Sequence, residues 1–256
     1  MFAKEGIKWI ATGEHALSKS LDIPTFKRNT KGIVTNPEVL YTPWYGQLNR
    51  QDDVAIFFRD LSISDQVGFT YSGMSPEMAV ADMMKALEAA REVSVTMDRP
   101  LVVSIVLDGE NAWEHYQNDG IDFLSLMYKM LTTTDWLKTT TPTEYIEKYG
   151  PQIDKLDKVF PASWFQPNFA TWIGETEETH AWDYLQKTRA FYDRSNASGG
   201  YTVEQLEKAF DYMLLAEGSD WFWWYGSDQS SGNDDYFGSA FRNLLKKVYT
   251  SLGQEP

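Results

Sequence analysis

Three short runs of apolar residues along the chain each end at a cluster of polar side chains. The runs cover residues 7–11, 54–58 and 101–107, and their polar interruptions are Lys8 and Ser104. Apolar runs without polar alternation are typical of strands that are covered on both faces, as in a parallel sheet. The pattern therefore predicts three buried, parallel strands.

A helix is predicted between the second and third strands. Ser75 stands where it can cap the first turn, and Pro76 suits the first helical position. The apolar stripe of this helix repeats at helical spacing and consists of Val80, Met83, Met84, Leu87 and Ala90. The order of strand, polar cluster, helix and strand predicts βαβ units, in which ligands bind at the carboxyl ends of the strands.

Helical patterns dominate the sequence from about residue 141. The segments 141–144 and 202–205 each match a capping box, in which two side chains satisfy the exposed amides of a helix start. We expect helices over 142–149, 177–194, 202–216 and 236–251 and a loop over 195–200.

The composition limits the classes of ligand. The formal charge of −14 would repel a polyphosphate, so we expect no nucleic acid partner. The chain has no cysteine, and His15, His115 and His180 are not spaced as helical metal ligands. We therefore expect no metal site and no cofactor.

The sequence contains neither an apolar run of the about 18 residues that a membrane helix needs nor a recognisable secretory signal at its start. We expect a soluble protein without a membrane partner, and we favour the cytoplasm as its compartment. Aromatic residues make up 15% of the chain. They suit either a large core or stacking on sugar rings, and their number does not decide between the two.

The sharpest candidate site follows the third predicted strand. Gly109 lets the chain turn abruptly, so Asp108 is presented at the strand tip with Glu110 close by. Glycoside hydrolysis uses two carboxyl groups, one of them kept protonated by burial or by a like-charged neighbour, and Asp108 beside Glu110 meets that condition. The alternative is an ordinary turn in which the aspartate caps a helix.

Two aromatic segments are further candidates. Segment 216–226 places Glu217 and Asp220 beside five consecutive aromatic residues, which cannot all face one side of a helix or strand. Acids next to tryptophan suit a sugar site, but a packed junction between domains explains this segment equally well. Segment 161–174 has aromatic residues without acids and suits a cleft floor or the edge of a core.

A charged pair, Arg59 and Asp60, follows the second predicted strand, and Asp65 is close by in the sequence. Such a neighbouring pair is more often a structural ion pair than a ligand site. We therefore expect Arg59 and Asp60 to pair with each other.

In this order the segments resemble glycoside hydrolase family 57, particularly its amylopullulanase-like and α-amylase-like members. The matching stretches are GIKWIAT at 6–12, FFRDLSISDQVGF at 57–69, LDGENAWEHY at 107–116, ASWFQPNFATWIG at 162–174, AWDYLQKTR at 181–189 and LLAEGSDWFWWYG at 214–226. The resemblance implies an α/β fold and a retaining reaction on α-glucosidic bonds of starch or glycogen. It makes residues 1–140 the carboxyl-terminal part of a (β/α)7 barrel, with its last three strands, and residues 141–256 a helical domain packed at the barrel mouth.

The resemblance also assigns roles to residues. The aspartate of the DGEN motif is the general acid/base of the family, which falls on Asp108; it would protonate the leaving oxygen and then activate water or a sugar hydroxyl. The residues implied to hold the glucan are Glu110, Asn111, Trp113, His115, Arg59, Asp65, Trp172, Glu217, Asp220 and Trp221.

The sequence departs from the family pattern in several places. The family's nucleophilic glutamate precedes the helix that leads into residues 6–12, so we expect this chain to lack the nucleophile and the first barrel strands. Gly13 stands where relatives tend to have an acid, Gln229 where a histidine is expected, and Gly238 where an aspartate is expected.

These departures lead to expectations about activity. A retaining site needs two carboxyl groups about 5 Å apart, so we expect the chain alone to be inactive. Unpaired strand edges favour pairing with the missing amino-terminal half or self-association. Three hypotheses stay open: a piece of an amylolytic enzyme, a non-catalytic glucan-binding or regulatory protein, and a component of a glucan branching enzyme or 4-α-glucanotransferase. The sequence does not distinguish α-1,4 from α-1,6 bonds.

Overall fold

The computed structural model describes residues 2–30, 32–46, 53–109, 113–164 and 166–256. The chain forms two compact units, Met1–Asn168 and Phe169–Pro256. The first unit is mixed α/β and the second is helical. The division into a barrel portion over 1–140 and a helical domain over 141–256 stays a prediction.

The first unit contains a sheet in which four strands are described, in the order β1-β3-β2-β4. Strand β1 pairs in parallel with β3, β2 is antiparallel to β3, and β4 is parallel to β2. The strands are β1 (Trp9–Gly13), β2 (Trp44–Gly46), β3 (Val54–Arg59) and β4 (Lys155–Leu156).

The first two predicted strands form, but only the second is buried as predicted: in β1 only the last residue, Gly13, is buried. The run at 54–58 forms β3, in which every residue is buried, as expected for a strand covered on both faces. The run at 7–11 forms β1 with its bounds moved two residues along the chain, and its parallel pairing aligns Gly13 with Arg59. The carboxyl ends of both strands therefore lie side by side.

The third predicted strand, residues 101–107, is wrong as a regular strand. The segment makes one parallel bridge, between Ser104 and Arg59. Its other amides bond elsewhere: Val102 N donates to the carbonyl oxygen of Tyr41 at 2.8 Å, and Val106 N donates to Ser64 Oγ at 3.2 Å. The segment thus runs beside β3, but these competing acceptors prevent a continuous ladder.

The helices of the first unit enclose the sheet and its polar ends. Helix α4 (Pro76–Ser94) begins as predicted, because Ser75 accepts a hydrogen bond from the Met78 amide at 3.3 Å and Pro76 is the first helical residue. Val80, Met83 and Leu87 are buried. The helices are α1 (Glu14–Ser20), α2 (Pro37–Leu40), α3 (Leu61–Asp65), a π-helical turn (Gln66–Thr70), α4 (Pro76–Ser94), α5 (Ile121–Thr133) and α6 (Pro142–Tyr149), with 3-10 turns at Phe2–Glu5, Tyr71–Gly73, Trp113–His115, Gln117–Gly120 and Gly150–Gln152.

The second unit consists of helices packed around aromatic residues. Phe222 and Phe241 are almost completely buried, and the Trp182 ring stacks on Phe222 with 3.8 Å between centroids. Most of the aromatic pairs in this unit fill a core. Its helices are α7 (Thr176–Ser198), α8 (Val203–Ala216), α9 (Asp220–Trp224) and α10 (Asp234–Ser251).

The predicted helix starts at 142 and 202 are confirmed, and both capping boxes form, with Thr141 and Glu144 in one and Thr202 and Gln205 in the other. The loop predicted over 195–200 is wrong for its first four residues, because α7 continues to Ser198. Gly199, with φ of 70°, ends that helix in the left-handed conformation. In the described residues, no helix has the length and apolar character needed to cross a membrane.

Candidate active site

The site at the carboxyl ends of β1 and β3 is held together by Arg59, the last residue of β3. Its side chain is 5% exposed, and its Nε donates a hydrogen bond to the carbonyl oxygen of Val106 at 2.8 Å. Asp108 lies two residues further along and is exposed. Arg59 therefore fixes the backbone that leads to the sharpest candidate residue.

The remaining contacts of Arg59 contradict the ion pair expected with Asp60. The Arg59 Nη2 atom lies 2.6 Å from Asp65 Oδ1, and the guanidinium lies over the Trp164 ring at 5.1 Å from its centroid. Consecutive residues of an extended chain point to opposite faces, so Arg59 and Asp60 diverge. Arg59 and Asp65 therefore come together at this site, as a rigid charged pair beside an indole.

Trp164 closes the site at the end of β1. A Cβ atom at Gly13 would lie 2.0 Å from the carbonyl oxygen of Trp164, far inside van der Waals contact. This close approach explains why position 13 carries glycine. From the sequence, the segment around Trp164 is recognisable only as an aromatic loop. Its contact with Gly13 spans about 150 residues of chain and has no local signature.

Asp60 belongs to a second polar group, which is buried beneath the site. Arg28 Nη1 lies 3.0 Å from Asp60 Oδ2, and Arg28 Nη2 lies 2.5 Å from Glu14 Oε2. Asp60 also accepts hydrogen bonds from Tyr41 Oη at 2.6 Å and from the Ile63 amide at 2.8 Å. Glu14 accepts one from the Leu61 amide at 2.9 Å. We call Glu14, Arg28, Tyr41 and Asp60 the buried network.

The buried network shifts the pKa values of Arg28 and Tyr41. Burial disfavours the charged form of Arg28, but Asp60 and Glu14 outweigh that effect and raise its pKa. Burial, reinforced by Asp60, raises the pKa of Tyr41. Both carboxylates bond to amides at the start of α3, so the network fixes the helix that carries Asp65. No local sequence pattern singles out Glu14 or Arg28 as members of this network.

Trp113 bonds to the residue that follows Asp108. Its Nε1 donates to the carbonyl oxygen of Gly109 at 3.2 Å, and its ring packs at 5.5 Å from Tyr116. His115 is exposed in the same 3-10 turn. The candidates Glu110 and Asn111 lie outside the described residues. Trp113 is thus brought beside Asp108, and its contacts are those of a packing residue.

A π-helical turn, Gln66–Thr70, lies against the other side of this segment. A Cβ at Gly68 would touch the Leu107 side chain at 3.8 Å, and Tyr116 Oη donates to the Val67 carbonyl at 2.5 Å. Phe69 projects from the turn and is 75% exposed. π-Helical turns are rare in proteins, but those that occur are often found at functional sites. The spacing of apolar residues gave no sign of this turn.

The candidates of the second unit have contacts of their own. Trp221 Nε1 donates to the Leu215 carbonyl at 2.9 Å, and its ring lies 5.9 Å from that of Phe241. The Trp172 carbonyl accepts a hydrogen bond from Trp182 Nε1 at 2.7 Å. These contacts lie within the second unit.

The two acidic candidates of segment 216–226 differ in their contacts. Glu217 Oε1 pairs with Arg189 Nη1 at 2.7 Å, whereas Asp220 is exposed at the first position of α9. A role in holding a ligand stays a prediction for Glu217 and Asp220, as it does for Trp172 and Trp221.

A cluster of acids stands at the start of α7. Glu178 is completely buried; one carboxylate oxygen accepts a hydrogen bond from the Glu175 amide at 3.0 Å, and the other has no partner among the described residues. Burial raises the pKa of Glu178, and the neighbouring Glu175, Asp228 and Glu177 raise it further. No group of acids or histidines in the described ranges is arranged to hold a metal ion.

Comparison with protein-family models decides the family. The model of glycosyl hydrolase family 57 matches residues 1–155, a stretch that contains β1, β3, Arg59, Asp65 and Asp108. The chain belongs to glycosyl hydrolase family 57. The resemblance seen in the sequence motifs is thereby confirmed. No curated protein matches the chain by sequence.

Solved structures of two family 57 branching enzymes and of an α-amylase share the fold. A branching enzyme from the hyperthermophilic archaeon Thermococcus kodakaraensis has a TM-score of 0.73 and 16% identity, with 98% of this chain and 52% of that chain covered. An α-amylase from Thermotoga maritima has a TM-score of 0.62 and 15% identity, over 98% and 56% of the two chains. A branching enzyme from Pyrococcus horikoshii has a TM-score of 0.65 and 16% identity, over 97% and 49%. The family 57 chain described here thus spans about half the length of these relatives, which establish its fold.

Proposed function

We propose that this family 57 chain is part of an α-glucan glycoside hydrolase with a retaining mechanism, and that Asp108 is its general acid/base. One observation carries the proposal: Asp108 is exposed directly beyond the backbone that the buried Arg59 holds at the end of β3. The side chain can therefore meet a ligand from solvent, while its main chain is rigidly placed. A catalytic acid needs both properties.

The proposed reaction uses Asp108 twice. Its carboxyl group first gives a proton to the glycosidic oxygen of the leaving sugar, and its carboxylate then takes a proton from an attacking water. Arg59 and Asp65 are positioning residues, since they hold each other and the Val106 carbonyl. Trp164, which lies beside Arg59 at the end of β1, offers a partly exposed indole surface, and such surfaces suit the apolar faces of glucose.

A retaining reaction also needs a nucleophilic carboxylate about 5 Å from the acid/base. The family resemblance assigns it to a barrel strand that precedes β1. We therefore propose that β1, β3 and the segment 101–107 are the last three strands of a (β/α)7 barrel, and that the second unit is the helical domain of the family. On this proposal the chain by itself binds glucan without cleaving it.

Transfer is the second candidate reaction. It is favoured by the similarity to two branching enzymes of the family. In that case a hydroxyl group of a second glucan replaces water in the step that Asp108 activates as a base. Analysis of new branch points against reducing ends, after incubation with amylose, distinguishes transfer from hydrolysis.

The experiment is a binding titration with maltoheptaose, followed by an assay of sugar release from amylose. The chain is expected to bind the oligosaccharide and to release no sugar. It is then mixed with a polypeptide that supplies the nucleophile strand, and release is expected to begin. Asp108→Asn should lose the restored activity. Asp135→Asn, at an exposed aspartate beyond α5, is the matched control and should keep it.

The result that would overturn the proposal is a chain that binds no α-glucan at any accessible concentration. Restored activity that survives Asp108→Asn would remove the role of that residue and leave the family assignment intact. Binding without restored activity would favour the non-catalytic glucan-binding protein.

A further inference from the structure

The first unit carries a hollow at the opposite end of segment 101–107 from Asp108. It has a volume of about 430 Å³ and is lined by the end of α4, the residues up to Pro100, and Trp136 beyond α5. Small-molecule sites commonly occupy about 300–1,000 Å³. The hollow is therefore large enough for a ligand and separate from the proposed active site.

An indole and a guanidinium form one wall of the hollow. The Arg91 guanidinium, in the last turn of α4, lies over the Trp136 ring at 5.2 Å from its centroid. This contact covers one face of the ring and fixes its orientation. Trp136 is half-buried and lies at the rim without belonging to the core clusters of the first unit.

Arg99 also lines the hollow and retains hydrogen-bonding capacity. Its side chain is 12% exposed, and its ionic neighbour Asp154 is 3.9 Å away from Nη2, beyond hydrogen-bond distance. The Arg99 Nε is buried and has no partner among the described residues. The buried Nε is out of reach of a ligand, so the Nη groups of Arg99 are the N–H donors for a ligand that enters the hollow.

The charges around the hollow select the class of ligand. Arg91 and Arg99 are opposed by Asp98, which lines the hollow, and by Asp154 beside Arg99. Asp154 lies outside the lining residues, but together with Asp98 it offsets part of the positive charge that would attract an anion. It does offer N–H donors, a carboxylate acceptor and an indole, the groups that bind the hydroxyls and ring faces of a neutral sugar.

We infer that this hollow is a second glucan-binding site, which takes a short run of neutral glucose units. The choice of glucose among neutral sugars rests on the proposed function. Trp136 covers a ring face, Arg91 and Arg99 donate to hydroxyl groups, and Asp98 accepts from them. Two sites on one chain hold a polymer more tightly than either site alone, because the second contact is intramolecular.

The test uses the ¹⁵N-labelled chain titrated with maltoheptaose, with the indole N–H signals followed by NMR. Trp136→Phe and Trp113→Phe each remove one signal and so assign it. The Trp113 signal reports the site at Asp108, because its Nε1 bonds to the Gly109 carbonyl, and the Trp136 signal reports the hollow. The expected result is that both signals shift, each with its own dissociation constant.

Arg99→Ala is expected to weaken the binding that Trp136 reports by about tenfold, in line with loss of a charged hydrogen-bond donor, and to leave the Trp113 titration unchanged. Arg194→Ala, at an exposed arginine of α7, is the control and should change neither. The signals of the other tryptophans verify that each variant is folded.

The outcomes separate the two proposals. A shift of Trp113 alone overturns the second site and leaves the proposed function standing. A shift of Trp136 alone supports the hollow and counts against the active site, and the absence of any shift overturns both. A Trp136 signal that responds to inorganic phosphate but not to maltoheptaose also overturns the inference, since the hollow would then be an anion site.

Discussion

Arg59 Nε donates a hydrogen bond to the carbonyl oxygen of Val106 at 2.8 Å, which joins the end of β3 to the segment that leads to Asp108. The same guanidinium pairs with Asp65 and lies over Trp164. One side chain therefore links three separate stretches of the family 57 fold. Its planar group carries donors on three nitrogen atoms in a fixed fork, whereas a lysine has donors on a single nitrogen.

Arg59→Lys is expected to destabilise the chain and to weaken glucan binding, although the charge is kept. A lysine loses the bond to Val106 or the pair with Asp65, at a cost of about 1.5–3 kcal/mol. Urea unfolding and a maltoheptaose titration measure the two effects. Arg194→Lys is the control, and equal stability of the two variants would contradict this role for Arg59.

Gly13→Ala is expected to lower stability by about 1–3 kcal/mol, the usual cost of overpacking. The added Cβ would lie 2.0 Å from the backbone oxygen of Trp164, so the Trp164 loop must move away from β1. Gly73→Ala, where no atom lies within 4 Å, is the matched control. A variant at position 13 as stable as the parent would show that this loop does not pack on β1.

Arg28→Met is expected to cost about 3–5 kcal/mol, because it leaves the carboxylates of Glu14 and Asp60 buried without their cation. The loss should also loosen the start of α3, where both acids hold backbone amides. Lys158→Met removes an exposed pair with Asp22 and should cost little. Denaturation curves that coincide for the two variants would refute the importance of the buried network.

Glu178 gives the stability of the chain a dependence on pH. Its pKa in the folded state is raised by burial and by neighbouring acids, so the folded state holds the proton more tightly than the unfolded state. The parent should therefore lose stability as pH rises from the ordinary glutamate range through the raised pKa, and keep full stability below it.

Glu178→Gln removes that titration, so the free energy of unfolding should change less with pH between the ordinary glutamate range and the raised pKa. Above that pH window the variant should be more stable than the parent. Glu207→Gln, at an exposed position of α8, should retain the profile of the parent. The measurement is the urea midpoint from pH 4 to pH 8. A steeper profile for the Glu178 variant than for the parent would contradict the assignment.

The elements that could be predicted from the sequence are those determined by residues within a short stretch of chain. Strand β3 followed from an apolar run without interruption, and the helix starts at Pro76, Pro142 and Val203 followed from caps within four residues. The segment 101–107 had the same apolar character as β3. It is not a strand because distant groups, the Tyr41 carbonyl and the Ser64 hydroxyl, take its amides.

The candidate site was predictable only in part, because some of its contacts join residues that are far apart in the sequence. Asp108 stands out because it follows an apolar run and precedes a glycine. The prediction that Arg59 pairs with Asp60 was wrong, because adjacent side chains on extended backbone diverge. Arg28 and Glu14 meet Asp60 and Leu61 across 32 and 47 positions of sequence, and no local pattern announces a contact of that separation.

The most direct test of the central claim uses the chain complemented with the nucleophile strand and α-glucosyl fluoride as substrate. Fluoride leaves without a proton, so an acid/base variant still forms the covalent intermediate and stalls where a base must activate water. With Asp108→Asn, turnover should fall by about 10²–10⁴, and azide, which needs no base, should restore it and yield α-glucosyl azide. An Asp108→Asn enzyme that turns over like its parent, or that azide cannot rescue, would contradict the account.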